Sequence, residues 1–144
     1  MSDPFVDTDI LIRLLTGDDP QKQAAGQALF ESVEQGSLTL AAPATVIADA
    51  VYVLSSPRLY AQPRAQVAAM LTRLVRLAHF KIGQRRTVLR ALDLYGTTNL
   101  DFGDAMIVAN MQRVGSPALY SYDQDFDGIQ GVTRQEPPRM PQKR

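Results

Sequence analysis

Aspartates from distant parts of the chain are predicted to meet at one edge of a sheet. Asp7 ends a short apolar run, Asp104 lies in the first turn of a predicted helix, and Asp123 directly follows a predicted strand. Because open α/β sheets hold their ligands beyond the carboxyl ends of the strands, we expect these carboxylates to lie close together. Taken singly, Asp101 also fits a helix N-cap and Asp104 the acid of a capping box, so both interpretations stay open.

A fourth acid, Asp49, lies on the shoulder of an apolar helix face, beside Val46 and Val53. It follows the predicted helix start at Pro43 by more than one turn, which is too far for the helix dipole to favour it. A carboxylate in such a place is costly unless it is paired or bound to a cation. Asp49 is therefore a candidate metal ligand, with an arginine partner or a position on the rim of the core as the alternatives.

Carboxylates are the side chains on which any catalysis or metal binding by this chain must mainly depend. It has no cysteine, and its single histidine is His79, which excludes disulfides, cysteine nucleophiles and multi-histidine zinc sites. Several acids without those ligands favour the hard cations Mg²⁺ or Mn²⁺. Such ions convert a bound water to hydroxide and stabilise the leaving oxygen in phosphodiester cleavage. Clustered acids also need a cation, because their mutual repulsion otherwise raises their pKa values.

The charges are unevenly distributed along a chain whose net charge is zero. Residues 1–49 carry eight acids and two bases, residues 50–92 carry eight bases and no acid, and residues 93–144 carry seven acids and five bases. This asymmetry predicts a basic face near an acidic centre, as in a protein that binds a polyanion through metal. Two helices with solvated arginine faces give the same pattern, and charge alone does not separate these interpretations.

Strand and helix patterns alternate along the chain, which predicts an α/β protein. The expected fold is a three-layer α/β/α sandwich with a small, mainly parallel sheet. It forms one domain over residues 1–136, followed by a disordered tail over residues 137–144. Strands are predicted at 5–6, 38–40, 80–82, 118–122 and 131–133. Helices are predicted from 10 to a stop at 17, then at 20–33, 43–54, 64–78, 84–95 and 101–113.

The sequence also predicts a soluble, cytoplasmic protein. No apolar run approaches the roughly 18 residues of a membrane span. The first residues lack the basic and apolar regions of a secretory signal. We therefore expect no membrane partner.

Four acidic segments follow one another along the chain: FVDTDILIRLL (5–15), VIADAVYVL (46–54), LDFGDAMI (100–107) and YSYDQDF (120–126). In order and spacing they resemble the motifs of PIN-domain ribonucleases, and most closely those of the VapC toxins of bacterial toxin–antitoxin pairs. The resemblance assigns Asp7, Asp104 and Asp123 to the first, third and fourth acidic positions. The second position, usually glutamate in the family, is Asp49 here, and its carboxylate reaches about 1.5 Å less far.

The resemblance implies a PIN-like fold and Mg²⁺- or Mn²⁺-dependent cleavage of single-stranded RNA. It makes Asp7, Asp49, Asp104 and Asp123 both the metal ligands and the catalytic residues. It also implies a homodimer and a VapB-type antitoxin as partner. The shorter side chain of Asp49 leaves a second hypothesis open, a non-catalytic PIN-like module that binds RNA or protein without cutting.

An RNA substrate would need cationic and aromatic contacts. The candidate phosphate contacts are Arg13, Arg85, Arg86 and Arg90, with a solvated helix surface as the alternative. The aromatic rings of Tyr52, Tyr60 and Tyr95 are candidates for base stacking, with core packing or dimer contact as the alternative. His79 is interpreted as a cap at the end of its helix.

Overall fold

The structure is a computed structural model that describes residues 2–141 of the chain. Helices and short strands alternate along these residues, so the predicted α/β class is confirmed. The elements are α1 (Thr8–Leu15), α2 (Pro20–Glu34), β1 (Leu40–Ala42), α3 (Ala44–Ser55), α4 (Arg64–Val75), β2 (Phe80–Ile82), α5 (Arg85–Thr97), α6 (Phe102–Val114), β3 (Ala118–Tyr120), the 3₁₀ helix η1 (Gln124–Phe126) and β4 (Thr133–Gln135). The domain bounds 1–136 and the disordered tail stay predictions, and residues 142–144 of that tail lie outside the described residues.

Local signals in the sequence set the ends of several helices. The Asp19 side chain accepts the N–H of Lys22 at 3.1 Å, and Pro20 occupies the first turn of α2, as the Asp-Pro pair predicts. At the C-terminus of α6, the last α-helix of the chain, Gly115 adopts the left-handed conformation with a φ of 72°. Glycine is favoured there because a side chain would strain that backbone.

The strands pair in parallel, as expected, but in two separate ladders instead of one continuous sheet. β1 pairs with β2 in the register Leu40–Phe80, and Phe5 adds a single parallel bridge to Ala41 on the other edge of β1. The second ladder joins β3 to β4, with Ala118 opposite Thr133. The predicted first strand, residues 5–6, is thus reduced to one bridge. Of its two residues, Val6 is buried and Phe5 is 73% exposed.

Several predicted boundaries are wrong by two or three residues. β1 begins at residue 40 instead of 38, because the Leu38 N–H donates to the Ser32 carbonyl at 3.2 Å and so completes the end of α2. α4 ends at 75 instead of 78, and residues 76–79 form the turn into β2. His79 therefore lies in this turn and does not cap the helix.

The second ladder also differs from its predicted extent. β3 ends at 120 instead of 122, although the Ser121 N–H still donates to the Gln135 carbonyl at 2.9 Å. β4 occupies 133–135 instead of 131–133, because Gly131 adopts a φ of 82° and belongs to the preceding turn.

The core lies between the β1–β2 ladder and the helices that cover it. Phe30 of α2 and Phe80 of β2 meet edge to face, with ring centroids 5.3 Å apart. Leu71 of α4, Leu92 of α5 and Leu100 are fully buried in the same cluster. Among residues 2–141, no helix combines the length and the apolar composition that crossing a bilayer requires.

The contact between α4 and α5 depends on a glycine. A Cβ atom at Gly96 would lie 2.9 Å from the Cβ of Ala68, well inside the optimal carbon–carbon separation of about 3.5–4.0 Å. We expect Gly96→Ala to destabilise the protein by about 1–2 kcal/mol, because overpacking outweighs the gain in helix propensity. Urea unfolding would measure the change.

Two further variants test the cause. Gly17→Ala serves as the control, because a Cβ there meets no atom within 4 Å. Adding Ala68→Gly to Gly96→Ala should recover part of the lost stability. A Gly96→Ala protein as stable as its parent would contradict the predicted clash.

Candidate active site

The N-terminus of α6 holds two aspartates one turn apart. Asp101 is the N-cap, and its side chain accepts the N–H of Asp104 at 2.8 Å, so the capping interpretation of Asp101 is confirmed. Phe102 is buried directly after the cap and anchors the first turn to the core. The Asp104 side chain is half-buried, and its carboxylate is not used for capping.

The second part of the site is the turn after β3. The Ser121 hydroxyl accepts the N–H of Asp123 at 3.0 Å, and the Asp123 carboxylate accepts the N–H of Asp125 at 2.8 Å. These bonds make Asp123 the N-cap of η1 and hold its carboxylate at the end of the strand. Ser121 thus serves as a hydrogen-bonding residue at the end of the strand.

Arg134 of β4 holds this turn in place. Its guanidinium donates to the Ser121 carbonyl at 3.0 Å, to the Asp127 carboxylate at 2.8 Å and to the Glu136 carboxylate at 2.7 Å. These contacts tie both ends of the segment that carries Asp123 to one side chain. No local sequence pattern identifies this role, because the three acceptors meet Arg134 only when β4 pairs beside β3.

The fold brings the two parts together into one acidic cluster. Burial raises the pKa of Asp104 above its ordinary value of 3.8, and the nearby charges of Asp101, Asp123 and Asp125 raise it further. Asp123 is thus near enough to Asp104 for its charge to act on that pKa, while the metal-binding and catalytic roles of both residues stay predictions. Asp125 was not among the predicted site residues, although the Asp-x-Asp spacing after a strand was a signal for it.

This raised pKa predicts how stability depends on pH. A group whose pKa is higher in the folded state stabilises the fold below its unfolded pKa of 3.8, and this contribution is lost as pH rises through the folded value. Asp104→Asn stays neutral at every pH. Without metal, we expect the variant to be more stable than its parent at pH 7.

Thermal melts of both proteins between pH 3 and pH 7 in EDTA would measure this difference. The advantage of Asp104→Asn should shrink towards pH 3, where the parent carboxyl is itself protonated. Equal stability at pH 7 would mean that the helix N-terminus, which favours a negative charge, balances the burial and the neighbouring acids.

The other two predicted ligands are not joined to this cluster in a ready-made site. Asp7 is exposed and caps α1, its carboxylate accepting the N–H of Thr8 at 2.6 Å. Asp49 is exposed on α3 and forms no ion pair with any residue in the range 2–141, so the arginine-partner interpretation is wrong. Within that same range, no three His, Asp or Glu side chains are arranged to hold an ion by themselves.

The donor set nevertheless fits a hard divalent cation. Mg²⁺ usually binds through one or two carboxylates, retains several waters and takes further oxygens from substrate phosphates. Asp104 and Asp123 supply such a pair, and the pKa of Asp104 is raised first by burial and then by the neighbouring acids, both of which a bound cation would offset. These two residues would hold the metal first.

The four arginines predicted to contact RNA differ in whether another group already pairs with them. Arg13 is paired with Asp18 at 3.1 Å, Arg90 with Asp93 at 2.6 Å, and Arg85 donates to the carbonyl of Phe80 at the end of the core ladder. Only Arg86, of the four, is exposed and makes no hydrogen bond or ion pair within the described part of the chain. It faces a groove that it shares with Arg113 of α6, a residue that the sequence did not single out.

Asp18 explains why Arg13 is occupied. Its carboxylate also accepts the hydroxyls of Tyr60 at 2.6 Å and Thr16 at 3.0 Å, and these bonds, led by that of Tyr60, lower the pKa of Asp18. The network links the loop after α1 to the loop after α3. Tyr60 and Arg13 therefore serve the structure of these loops.

The tyrosines considered for base stacking also differ, some being buried and others exposed. Tyr95 is buried beneath the Arg64 guanidinium, which lies 4.0 Å from its ring centroid, so its role is core packing. Tyr52 is 73% exposed one turn beyond Asp49 on α3. Tyr122, directly before Asp123, is 71% exposed and was not among the predicted candidates. Exposed rings next to two acidic positions are available to stack on bases.

The fold and this site define a class of protein, an α/β protein with an aspartate cluster suited to a hard divalent cation. Residues 5–132 match the family model described as the PIN domain, and the chain therefore belongs to the PIN-domain family. PIN domains are typically nucleases that use divalent metals. No curated protein matches the chain.

Proposed function

We propose that this protein is a metal-dependent endoribonuclease that cuts single-stranded RNA. The observation that carries the proposal is the Asp104–Asp123 pair, in which the charge of Asp123 helps to raise the pKa of the half-buried Asp104, in a chain whose residues 5–132 match the PIN domain. Asp7 at the start of α1 and Asp49 on α3 complete the proposed set of metal ligands and catalytic residues, with Asp49 acting through water because its side chain is short. The proposed metal is Mg²⁺ or Mn²⁺.

The site residues have distinct proposed tasks. A bound divalent cation lowers the pKa of a coordinated water and neutralises charge on the phosphate. Asp104 and Asp123 fix the position of that chemistry, because their backbone N–H groups donate to the side chains of Asp101 and Ser121, and the Asp123 carboxylate also accepts the N–H of Asp125. The exposed rings of Tyr52 and Tyr122 favour an unpaired substrate, because bases in a duplex are stacked on each other and cannot stack on a side chain.

Cleavage of a labelled RNA with one hairpin and two single-stranded tails tests the proposal. The purified protein should cut the tails in Mg²⁺ or Mn²⁺, leave the stem intact, and lose activity in EDTA. Cutting in the stem would contradict the single-strand preference. Cutting that persists in EDTA would contradict the metal dependence.

A second function, RNA or protein binding without cleavage, is favoured by one observation. Among residues 2–141, the acids do not form a ready-made group of three ligands. Retention of the labelled RNA without cleavage in either metal would support this non-catalytic module over the nuclease.

We also propose a cytoplasmic toxin role, with a VapB-type antitoxin and a second copy of the chain as partners. An open groove of about 880 Å³ between α2 and α4 supports a protein partner. Its lining combines apolar side chains such as Phe30 and Met70 with Glu31 and Glu34 on α2, Arg73 on α4 and Arg76 directly after α4. An amphipathic helix fits such a groove.

Co-expression with the protein encoded immediately upstream tests the antitoxin partner. The two chains should co-purify, and the complex should lose RNA cleavage. A complex that cleaves as fast as the free chain would contradict neutralisation. Light scattering of the free protein would measure the mass expected of a homodimer.

A further inference from the structure

The two acids of the Asp104–Asp123 pair are held in place by different means. Asp104 lies in the first turn of α6, so the backbone hydrogen bonds of a 13-residue helix fix its position. Asp123 lies in the connection from β3 to β4, residues 121–132, which is described throughout and contains only the three-residue helix η1. Its side chain is exposed. Asp123 therefore depends on contacts from other parts of the chain to stay beside Asp104.

Arg134 contacts this connection on both sides of Asp123. Its guanidinium donates to the Ser121 carbonyl, two residues before Asp123, and to both carboxylate oxygens of Asp127, four residues after it. The Glu136 carboxylate, just beyond β4, accepts a further bond at 2.7 Å and orients the guanidinium. The Arg134 side chain is only 15% exposed, unlike the solvated partners of a typical surface ion pair. A shielded guanidinium with forked bonds holds its acceptors in a fixed arrangement.

Ser121 connects this arrangement to Asp123. Its carbonyl accepts from Arg134 at 3.0 Å, while its hydroxyl accepts the Asp123 N–H, also at 3.0 Å. The Asp123 carboxylate in turn accepts the Asp125 N–H at 2.8 Å, which restricts the direction of the carboxylate. Phe126 is 2% exposed and anchors the same turn to the core. The position of Asp123 thus depends on Arg134 through one intervening residue.

We propose that Arg134 is a positioning residue: by holding the Asp123 carboxylate beside Asp104, it sets how tightly this pair binds a divalent cation. The inference rests on the proposed function, because the cation is the one that the nuclease would use. Arg134 itself touches neither the metal nor the RNA in this proposal. It acts as the residues behind metal ligands do, which orient those ligands without binding the ion.

The charge of Arg134 and its geometry have opposite effects on metal binding. A cation near an acidic site repels a divalent ion, so by charge alone the removal of Arg134 would tighten metal binding. Removal would also leave the charges of Asp127 and Glu136 without their partner, which acts in the same direction. Loss of position acts the other way, because a displaced Asp123 no longer shares the ion with Asp104. The sign of the change therefore separates a positioning role from an electrostatic one.

Calorimetric titration of the whole chain with Mn²⁺, in the absence of RNA, tests the inference. Arg134→Met should weaken Mn²⁺ binding by about 10–100-fold, the range typical of groups that orient metal ligands. Arg134→Lys keeps the charge but should also bind Mn²⁺ more weakly than the parent, because one ammonium group does not reproduce the forked bonds of a guanidinium. If Arg134→Met does not fold, Arg134→Lys carries the test by itself.

Amide exchange with solvent, measured by NMR in EDTA, reports on Asp123 without metal. The N–H groups of Asp123 and Asp125 should lose protection in both Arg134 variants, because their acceptors belong to the turn that Arg134 holds. Gly96→Ala is the control for reduced stability, because its predicted clash lies between α4 and α5. It should leave the Mn²⁺ affinity and the exchange of these two amides at the parental level.

An Mn²⁺ affinity that stays the same or rises in both Arg134 variants would overturn the inference. Unchanged exchange of the Asp123 and Asp125 amides would overturn it as well, because the turn would then be held without Arg134. A parent protein that binds no Mn²⁺ would refute the metal site of the proposed function, whereas a parent that binds Mn²⁺ and loses nothing in the variants would refute the role of Arg134 alone. The two failures are thus distinguishable.

Discussion

Asp104→Asn is expected to reduce RNA cleavage by about a thousandfold or more while leaving the protein folded. A catalytic metal contributes several kcal/mol to transition-state stabilisation, and each 1.36 kcal/mol corresponds to a factor of ten in rate. Asp104 is the half-buried member of the Asp104–Asp123 pair, so its loss removes the least exposed of the proposed ligands. The Asp101 cap bonds the backbone N–H of residue 104, which the substitution retains.

Single-turnover cleavage in Mg²⁺ and in Mn²⁺ would measure this effect. The matched control is Asp93→Asn, an exposed acid on α5 that pairs with Arg90. It should cut at the parental rate. Melts with added Mn²⁺ give a second readout, because metal at about 100 times its Kd stabilises the parent by about 2.7 kcal/mol and should stabilise Asp104→Asn much less. Parental cleavage by Asp104→Asn would refute the site.

Asp7→Asn extends the same test to Asp7, a proposed ligand outside the Asp104–Asp123 pair. Asparagine is as good an N-cap as aspartate, so the cap on the Thr8 N–H survives and the fold of α1 is retained. A loss of cleavage comparable to that of Asp104→Asn is therefore expected from the change in charge alone.

Asp49→Ala is expected to lower cleavage by about 10–100-fold, the range typical of groups that support a metal through an outer shell. Its stability should stay within about 0.5 kcal/mol of the parent, because the exposed carboxylate has no ion-pair partner among residues 2–141 to strand. Asp49→Glu restores the methylene and should keep or raise both Mn²⁺ affinity and the rate.

Metal titration calorimetry, cleavage rates and melts of both variants would be compared with Thr45→Ala, a control at an exposed position of the same helix. If Asp49→Ala cuts as fast as the parent and binds Mn²⁺ equally well, Asp49 lies outside the catalytic set. A protein in which neither Asp49 variant nor the parent cuts RNA would correspond to the non-catalytic module.

The candidate site was predictable where short-range rules apply. The positions of Asp104 and Asp123 followed from the ends of predicted elements, because carboxyl ends of parallel strands and the helices that follow them meet at one edge. The cap at Asp101 followed from helix chemistry alone. The shifted start of β1 could not be predicted in this way, because the Leu38 N–H donates to the Ser32 carbonyl of α2.

The sequence by itself determined the α/β class, the six helices with the N-caps at Asp19 and Asp101, and the limitation of the chemistry to carboxylates, because periodicity, turn residues and composition act locally. Only the tertiary structure decided which charges are free. Arg13 pairs with Asp18 of the following loop, Arg85 donates to the Phe80 carbonyl, and Arg90 donates to Gln112 of α6 at 2.7 Å, besides its local pair with Asp93. Arg86 is left open beside Arg113. The exposure of Asp49 was likewise decided by how α3 packs, because a helix wheel gives the direction of a side chain but not what covers it.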